Sequence, residues 1–345
     1  MSVIRATMDI GTNACRLILA EIGEGGDCTL IRLLRIPRIG EGLGRGSLSI
    51  SRAAMERTLA VLEEYRDRIA AYPVDRVRLL GTQALREADN SRLFAAEVMD
   101  KTGFMLEIIS GEQEAYLSYT GALTGLAPIG ITKPLVLDIG AGSTELIFDD
   151  TEANAAGLVR GASAPVGCLR LLANPMNARE IRTALTDGWS GLSVSALMPG
   201  YGSRATGTAA YADDGVATDD RRTTVAEDAA DAVKAATSMK DDAGVRRLVA
   251  VGGTATTLGA IRLQMHDYDP EALLGLRIGR EQVEETLALL ERMSPAQRLA
   301  LPGMMPGRED VMPWGLRILL AAMEICAQDS VVICDRDLLY GALYD

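Results

Sequence analysis

Histidine is nearly missing from this chain, since His266 is the single one among 345 residues. One imidazole cannot build a metal site that depends on several histidines, so that class of metal site is excluded. His266 lies in the polar stretch HDYDP, and we therefore expect it to be a solvated loop residue.

Cysteine is scarce as well, and its pattern excludes further classes. The five cysteines, at positions 15, 28, 168, 326 and 334, are odd in number and include no C-x-x-C pair. This is typical of reduced cytosolic thiols, and we expect Cys15 to serve in packing. No apolar run approaches the roughly 20 residues that a membrane span needs, and the N-terminus begins on a strand pattern instead of a secretory signal. We therefore expect a cytoplasmic protein without a membrane partner.

Positive charge is in deficit, with 35 Lys and Arg against 47 Asp and Glu and a net charge of −12. This balance argues against a protein that binds duplex nucleic acid, because such proteins usually carry a broad basic face. It does not exclude a polyanionic substrate, since a cleft needs only local arginines, backbone amides and a divalent ion. The length and the 48% hydrophobic content predict two domains, each with its own core.

The most informative stretch is residues 134–148, PLVLDIGAGSTELIF. Its apolar start predicts a buried strand that ends at Asp138, and a second apolar strand begins at Glu145. The turn between them contains Gly140, Ala141, Gly142, Ser143 and Thr144. Glycines let backbone N–H groups approach an anion, and a carboxylate at the strand end can hold a hard divalent cation beside it. Taken alone, the stretch could also be an ordinary β-hairpin in which the glycines supply positive φ.

The chain repeats this pattern near its N-terminus as TMDIGTNACRLILAEI. Placing Asp9 on Asp138 also matches Gly11 with Gly140 and Leu17 with Leu146. Two copies of one turn indicate a duplicated domain with a cleft between the halves. A third glycine turn, at residues 252–254, follows a buried strand and opens a helix, whose N-terminus also favours anions.

Seven motifs in this order resemble those of the exopolyphosphatase / guanosine pentaphosphate phosphohydrolase (Ppx/GppA phosphatase) family in its short two-domain form. They are DIGTN, GTQALREADN, SGEQEAYLSYTG, DIGAGSTEL, VGCLRL, VGGTATTL and PGREDV. The likeness spans nearly the whole chain and is weakest at residues 188–224. We expect the extra HD-type domain of longer family members to be absent, because a single histidine cannot build its multi-histidine metal site.

The resemblance implies an α/β fold of duplicated actin-like (ribonuclease H-like, sugar kinase/actin superfamily) domains with an interdomain cleft. We place the N-terminal domain at residues 1–125 and the C-terminal domain at 126–345. Residues 188–224, rich in Gly, Ala, Ser, Thr and Asp, are expected to form an irregular insertion. The closing helix, residues 335–345, can pack back on the N-terminal domain.

Local patterns predict several elements around these motifs. An amphipathic helix is expected at residues 52–71 and a strand at 77–81. Ser110 and Gln113 form a capping-box pattern at the start of a helix whose buried face would contain Ala115, Tyr119, Ala122 and Leu126. Pro313 falls in the first turn of a helix predicted at residues 309–327, where its missing N–H costs little.

The resemblance also implies roles for individual residues. Phosphate binding is implied for Gly11, Thr12, Asn13, Arg86, Gly140, Gly142, Ser143, Thr144 and Arg308. The implied cofactor is Mg²⁺, held by Asp138 and, through water, by Glu145, because Mg²⁺ prefers one or two carboxylates and keeps several waters. Glu114, the glutamate directly before Ala115, would be the general base.

Some of these roles have plain alternatives in the residues themselves. Arg86 follows a strand end, where α/β proteins place ligand contacts, but it could equally pair on a helix surface with Glu87 or Asp89. Arg308 could be a surface charge near a helix N-terminus. An acidic residue in a first helical turn, as at Glu112, is usually a partner of the helix dipole.

The function expected from the resemblance is an Mg²⁺-dependent exopolyphosphatase, a phosphoanhydride hydrolase that releases terminal orthophosphate from inorganic polyphosphate. Hydrolysis of guanosine pentaphosphate is the alternative, and the residues do not separate the two. An actin-fold small-molecule kinase and a non-catalytic sensor of guanosine penta/tetraphosphate are further alternatives, and a homodimer is left open.

Three departures from the family pattern are Ala14 in place of Ser, Ala141 in place of Gly, and Asp337 in place of Gly. We expect the first two to alter affinity and Asp337 to be structural.

Overall fold

The computed structural model describes residues 2–43, 48–150, 158–192 and 246–345. The first half of the chain contains β1 (Val3–Ile10), β2 (Cys15–Gly23), β3 (Gly26–Arg35), α1 (Arg52–Ile69), β4 (Arg76–Gly81), α2 (Gln83–Glu87), α3 (Ser91–Thr102), β5 (Leu106–Ile108) and α4 (Gly111–Leu126). The second half begins with β6 (Leu135–Ile139), β7 (Thr144–Asp150), β8 (Leu158–Ala164), α5 (Cys168–Ala173) and α6 (Ala178–Gly188). It continues with β9 (Leu248–Val251), α7 (Gly252–Arg262), α8 (Pro270–Leu273), β10 (Arg277–Gly279), α9 (Arg280–Arg292), α10 (Pro295–Leu299), α11 (Met312–Ile325), β11 (Ser330–Ile333) and α12 (Leu338–Tyr344).

The two sheets have the same topology. The first has the strand order β3-β2-β1-β4-β5, and the second has the order β8-β7-β6-β9-β11 with β10 added at its edge. In each sheet the three strands nearest the hairpin side are antiparallel, and the next pairings are parallel. The same strand order therefore occurs in both sheets, which confirms the predicted duplicated, actin-like α/β fold.

Two helices cross between the halves. The buried face of α4 (Ala115, Tyr119, Ala122, Leu126) packs on second-sheet residues such as Val136 and Val249, as its sequence pattern predicts. The closing helix α12 packs instead on the first sheet, where Leu339 and Leu343 meet Ile18 and Leu80. The halves are therefore interlocked by helices that each cover the other's sheet.

Close contact between these two helices depends on glycine. A Cβ on Gly121 of α4 would lie 1.9 Å from the Asp337 carbonyl oxygen, and one on Gly341 of α12 would lie 2.0 Å from that of Leu117. Backbone cannot yield as a flexible side chain can, so any larger residue would separate the helices. The crossing fixes α4, and with it the position of Glu114 at its first turn.

Local predictions agree with the structure at several further points. Ser110 accepts a hydrogen bond from the Gln113 N–H, and the Gln113 side chain accepts one from the Ser110 N–H, so the capping box is confirmed. Pro313 lies in the first turn of α11. His266 is exposed in a bend, and Cys15 is fully buried. All five cysteines are free.

Residues 193–224 of the predicted insertion lie outside the described residues; its first residue, Gly188, ends α6. Across the described ranges, no helix combines the length and apolarity that crossing a membrane requires.

Candidate active site

The two repeated turns face one cavity. Asp9, from the first hairpin, and Asp138, from the second, both line a cavity of about 130 Å³ between the sheets. The N-terminus of α7 contributes Gly252, Gly253 and Thr254 to the same wall. The predicted interdomain cleft is therefore present, and all three glycine turns reach it.

The two hairpin turns are built alike. In the first, the Gly11 N–H donates to the Ala14 carbonyl at 2.9 Å; in the second, the Gly140 N–H donates to the Ser143 carbonyl, also at 2.9 Å. Each turn joins two antiparallel strands, so its tip extends past the sheet edge into the cleft. The short repeat in the sequence thus becomes a structural repeat.

The structure brings together most of the residues predicted to bind phosphate. Those that line the cavity are Gly11, Thr12, Asn13, Gly140, Gly142, Ser143 and Arg308. The Asn13 Oδ1 atom is buried there without a hydrogen-bond partner among the described residues. Ala14 and Ala141, where the family pattern has Ser and Gly, also line the cavity, so both departures act at its wall.

Arg308 is a cation at the wall of this cavity. Among the described residues, no carboxylate or carbonyl accepts a hydrogen bond from its guanidinium group, and its Nε is buried. The group lies against Gly253, where a Cβ would be 1.6 Å from Arg308 Nη1. Burial, together with the charge of Arg16, lowers the pKa of Arg308 to about 10, so it stays protonated at neutral pH. Arg308 is not the surface charge that the sequence left as an alternative.

Arg86 contacts the predicted general base in the structure. Its Nη1 donates to Glu114 Oε2 at 2.6 Å and to the Ile109 carbonyl at 3.0 Å, and it pairs with neither Glu87 nor Asp89. Arg86 lies outside the cavity lining, whereas Glu114 is part of it. Phosphate binding by Arg86 therefore stays a prediction, and its present contact is with the glutamate expected to be the base.

Burial raises the pKa of Glu114 above its ordinary value, and the neighbouring Arg86 guanidinium opposes this effect. Only about a fifth of the Glu114 side chain is exposed (19%), so both effects act with little screening. A raised pKa brings a carboxylate closer to the range in which it can accept and return a proton near neutral pH.

Asp138 and Glu145, the predicted metal ligands, lie opposite each other in the β6–β7 ladder. Glu145 Oε1 accepts hydrogen bonds from the hydroxyls of Ser143 at 2.6 Å and Ser163 at 2.8 Å. Burial, followed by the charge of Glu114, raises the pKa of Glu145 to about 7. Burial and the charge of Glu145 also raise the pKa of Asp138 well above its ordinary value.

This pair fits a magnesium ion. No described residue donates a hydrogen bond to the Asp138 carboxylate or forms an ion pair with it, and it lines the cavity with its charge uncompensated. The described residues form no cluster of three or more His, Cys, Asp or Glu side chains able to hold a metal. Two carboxylates are nevertheless sufficient for Mg²⁺, which takes the rest of its ligands from water and substrate phosphates.

Thr144 departs from the predicted phosphate-binding set. It is fully buried, and its hydroxyl donates to the Val166 carbonyl at 2.6 Å instead of facing the cavity. The reason is strand alternation, because successive side chains point to opposite faces of a strand. Since Glu145 faces the cleft, its neighbour Thr144 faces the core.

Arg16 is a cavity residue that the sequence analysis missed. It lies opposite Asp9 in the hairpin, and its guanidinium donates to Asp9 Oδ2 at 2.6 Å and to Asp337 Oδ2. Asp337 also accepts from the Leu339 N–H, which caps α12, so its predicted structural role is confirmed. The repeat offered a signal, since placing Asp9 on Asp138 puts Arg16 where Glu145 stands.

Comparison with known proteins places the chain in context. The model of the Ppx/GppA phosphatase family matches residues 18–184 and 201–345. Exopolyphosphatase 2 of Mycobacterium tuberculosis is 30% identical over 97% of this chain and 96% of its own length. The bifunctional 3-dehydroquinate synthase/phosphatase of Fusobacterium nucleatum is 26% identical, and the chain spans 46% of its length. The guanosine-5'-triphosphate,3'-diphosphate pyrophosphatase of Vibrio parahaemolyticus is also 26% identical, and the chain spans 59% of it.

Solved structures agree on the fold. The crystal structure of the Aquifex aeolicus member of the Ppx/GppA family has a TM-score of 0.69 and 23% identity, covering 99% of this chain and 97% of that one. Because the family match covers nearly all of the sequence, and because the motifs that carry it meet in one cleft, this chain belongs to the Ppx/GppA phosphatase family.

Proposed function

We propose that this protein is an exopolyphosphatase, which hydrolyses the terminal phosphoanhydride of inorganic polyphosphate and releases orthophosphate. The observation that carries the proposal is the Arg308 guanidinium, which has no acceptor among the described residues and faces a cavity bounded by two glycine turns and by Asp138, a carboxylate without a described cationic partner. The Arg308 guanidinium can bind an anion, and the Asp138 carboxylate beside it can bind a divalent metal. Together they suit a phosphate ligand that carries a divalent metal ion. The similarity to Exopolyphosphatase 2 over nearly the full length supports the same substrate.

Binding of the terminal phosphate uses groups from both halves. Arg308, from the second half of the chain, supplies a charged donor, and the Thr12 side chain, from the first half, supplies a hydroxyl. Charge-assisted hydrogen bonds from a guanidinium to phosphate are among the strongest in proteins. Because the donors come from two halves, the substrate is gripped only when the halves are together.

Magnesium would be held by Asp138, with Glu145 behind it. When bound, the ion would neutralise charge on the phosphoryl oxygens, which is the largest electrostatic need of phosphoryl transfer. The Ser143 and Ser163 hydroxyls fix the orientation of Glu145 and lower the cost of its ionised form.

Glu114 acts as the general base. It accepts a proton from the attacking water as the water oxygen bonds to the terminal phosphorus, and the bridging P–O bond breaks. The electron pair of that bond leaves with the shortened chain. Arg86 orients the Glu114 carboxylate through its 2.6 Å hydrogen bond and helps to keep it ionised.

Guanosine pentaphosphate is the second candidate substrate. It presents the same terminal phosphoanhydride, and the Vibrio parahaemolyticus relative, named for guanosine-5'-triphosphate,3'-diphosphate, matches the whole of this chain. The cavity grips the phosphoryl end, which both substrates share, so the choice depends on the groups that follow it.

The test is phosphate release from long-chain polyphosphate, guanosine pentaphosphate and ATP, measured side by side with and without Mg²⁺. We expect Mg²⁺-dependent release that is fastest from polyphosphate. Release from guanosine pentaphosphate alone would select the second substrate. Consumption of ATP only when an acceptor is added would indicate a kinase, and tight binding without any release would indicate a sensor.

A further inference from the structure

The phosphate cavity adjoins two larger spaces. An outer chamber of about 370 Å³ shares Thr12, Gln83 and Gly142 with it. A back chamber of about 210 Å³ shares Arg16, Gly253 and Arg308 with it. The two chambers have no lining residue in common, so the phosphate cavity has a separate neighbour at each of two walls.

An exo-acting hydrolase has a problem of product release. The phosphate that is cut off lies deepest, and the shortened substrate still occupies the space through which it entered. We assign that space to the outer chamber, because it is the larger of the two and is bounded by the turn tip at Gly142. If the enzyme keeps its chain between cuts, orthophosphate needs a different way out.

The charges of the back chamber suit an anion in transit. The two carboxylates in its described lining are ion-paired, Asp337 with Arg16, which also contacts Asp9, and Asp335 with Arg32. Arg308 has no such partner among the described residues, so an unpaired positive charge lies at the wall that the chamber shares with the cavity. One free cation attracts a phosphate without holding it tightly, which is what a site of passage requires.

The remaining walls of the back chamber can be altered without touching the phosphate cavity. Leu34 of β3 and Met305 line the back chamber and lie outside the cavity lining. Leu172 lines the outer chamber and likewise lies outside the cavity lining. These side chains allow one chamber to be filled at a time.

We propose that the back chamber is an exit site for orthophosphate, which passes from the cavity by way of Arg308 while the shortened substrate stays in the outer chamber. The inference rests on the proposed phosphoanhydride hydrolysis. Arg308 belongs to both spaces, so the group that binds the terminal phosphate before cleavage also guides it out afterwards.

The experiment compares two rates in the full-length protein with polyphosphate and Mg²⁺. Bond cleavage is followed by acid quench, and free orthophosphate is followed in real time with a fluorescent phosphate sensor. In the Leu34→Trp variant we expect cleavage of about one bond per active site at the normal rate, followed by release slowed about fivefold or more. Met305→Trp, at another lining residue of the back chamber, should behave in the same way, and it keeps the test decisive if Leu34→Trp fails to fold.

The matched control is Leu172→Trp in the outer chamber. There we expect cleavage and release to stay synchronous, with the change confined to the KM for polyphosphate. Synchronous, undiminished rates in a folded back-chamber variant would overturn the exit site, and so would an equal lag in Leu172→Trp. A wild-type protein that releases no phosphate from any of the three anhydrides would instead remove the proposed function, and the exit site with it.

Discussion

Asp138 lies directly opposite Glu145 in the second hairpin, whereas the same two positions of the first hairpin hold Asp9 and Arg16. These two positions therefore hold an ion pair in the first hairpin and two carboxylates in the second. In the first hairpin the ion pair, extended to Asp337, ties the closing segment to the first sheet. In the second, two half-buried carboxylates repel each other, so that a cation bound between them would be stabilising.

Replacing Glu145 by Gln should stabilise the metal-free protein at alkaline pH. The pKa of Glu145 is raised from 4.5 to about 7 in the folded state, so the stability it contributes is complete below pH 4.5 and is lost as the pH rises through 7. Glu145→Gln removes this loss, and we expect a gain of about 1–3 kcal/mol in the free energy of unfolding at pH 8 and little at pH 5. Urea unfolding in the presence of a chelator measures the free energy of unfolding at pH 8 and at pH 5. The control is Glu112→Gln, at an exposed glutamate. An equal gain at both pH values would show that the carboxylate charge is not the cause.

Replacing Glu114 by Gln should remove the general base and leave the fold intact. Loss of a positioned base typically lowers the rate by about 10²- to 10⁴-fold, and we expect phosphate release to fall by that amount. Glu112→Gln, two residues earlier in the same helix, should keep wild-type turnover. Normal turnover in Glu114→Gln, with an unchanged melting temperature, would exclude Glu114 from the mechanism.

Replacing Arg86 by Met should change the pH dependence of activity. The Arg86 charge opposes the burial that raises the pKa of Glu114, so its loss raises that pKa further. Because the base must be ionised, the acid limb of the kcat/KM profile should move to higher pH, while activity on the alkaline plateau is largely kept. A KM raised equally at every pH would mean that Arg86 contacts the phosphate itself.

Replacing Gly253 by Ala should displace Arg308. The new methyl group would overlap the guanidinium, while alanine suits the helix that begins there, so we expect the protein to stay folded. A charged hydrogen bond to phosphate contributes about 1.5–3 kcal/mol, which corresponds to a rise in KM of about 10- to 150-fold. Gly25→Ala is the control, since nothing lies within 4 Å of its Cβ position. Equal KM values in the two variants would argue against substrate binding by Arg308.

Replacing Asp138 by Asn should raise the requirement for magnesium. The neutral amide keeps the shape of the side chain but loses the charge that a hard cation prefers, so half-maximal activity should need about tenfold more Mg²⁺ or more. A magnesium titration of phosphate release measures this directly. An unchanged titration curve would place the metal elsewhere.

Elements with local causes could be predicted from the sequence. The capping box at Ser110 depends on residues three apart, and the strand predicted at 77–81 is found at Arg76–Gly81. The helix predicted at 309–327 is shorter, Met312–Ile325, because Arg308 and its neighbours form a turn at the cavity wall. The burial of Thr144 was also within reach, because it follows from the alternation of a strand whose next residue faces the cleft.

The sequence by itself determined the duplicated turns, the family and most of the cavity lining, because short glycine motifs specify backbone geometry locally. Only the tertiary structure decided which charges meet: Arg16 with Asp337 across 321 positions of chain, Arg86 with Glu114, and Arg308 with no carboxylate in the described part of the chain. The reason is physical. Side-chain charges act over a few ångströms in space, and the distance between two of them is set by the crossing of helices and sheets that no short stretch encodes.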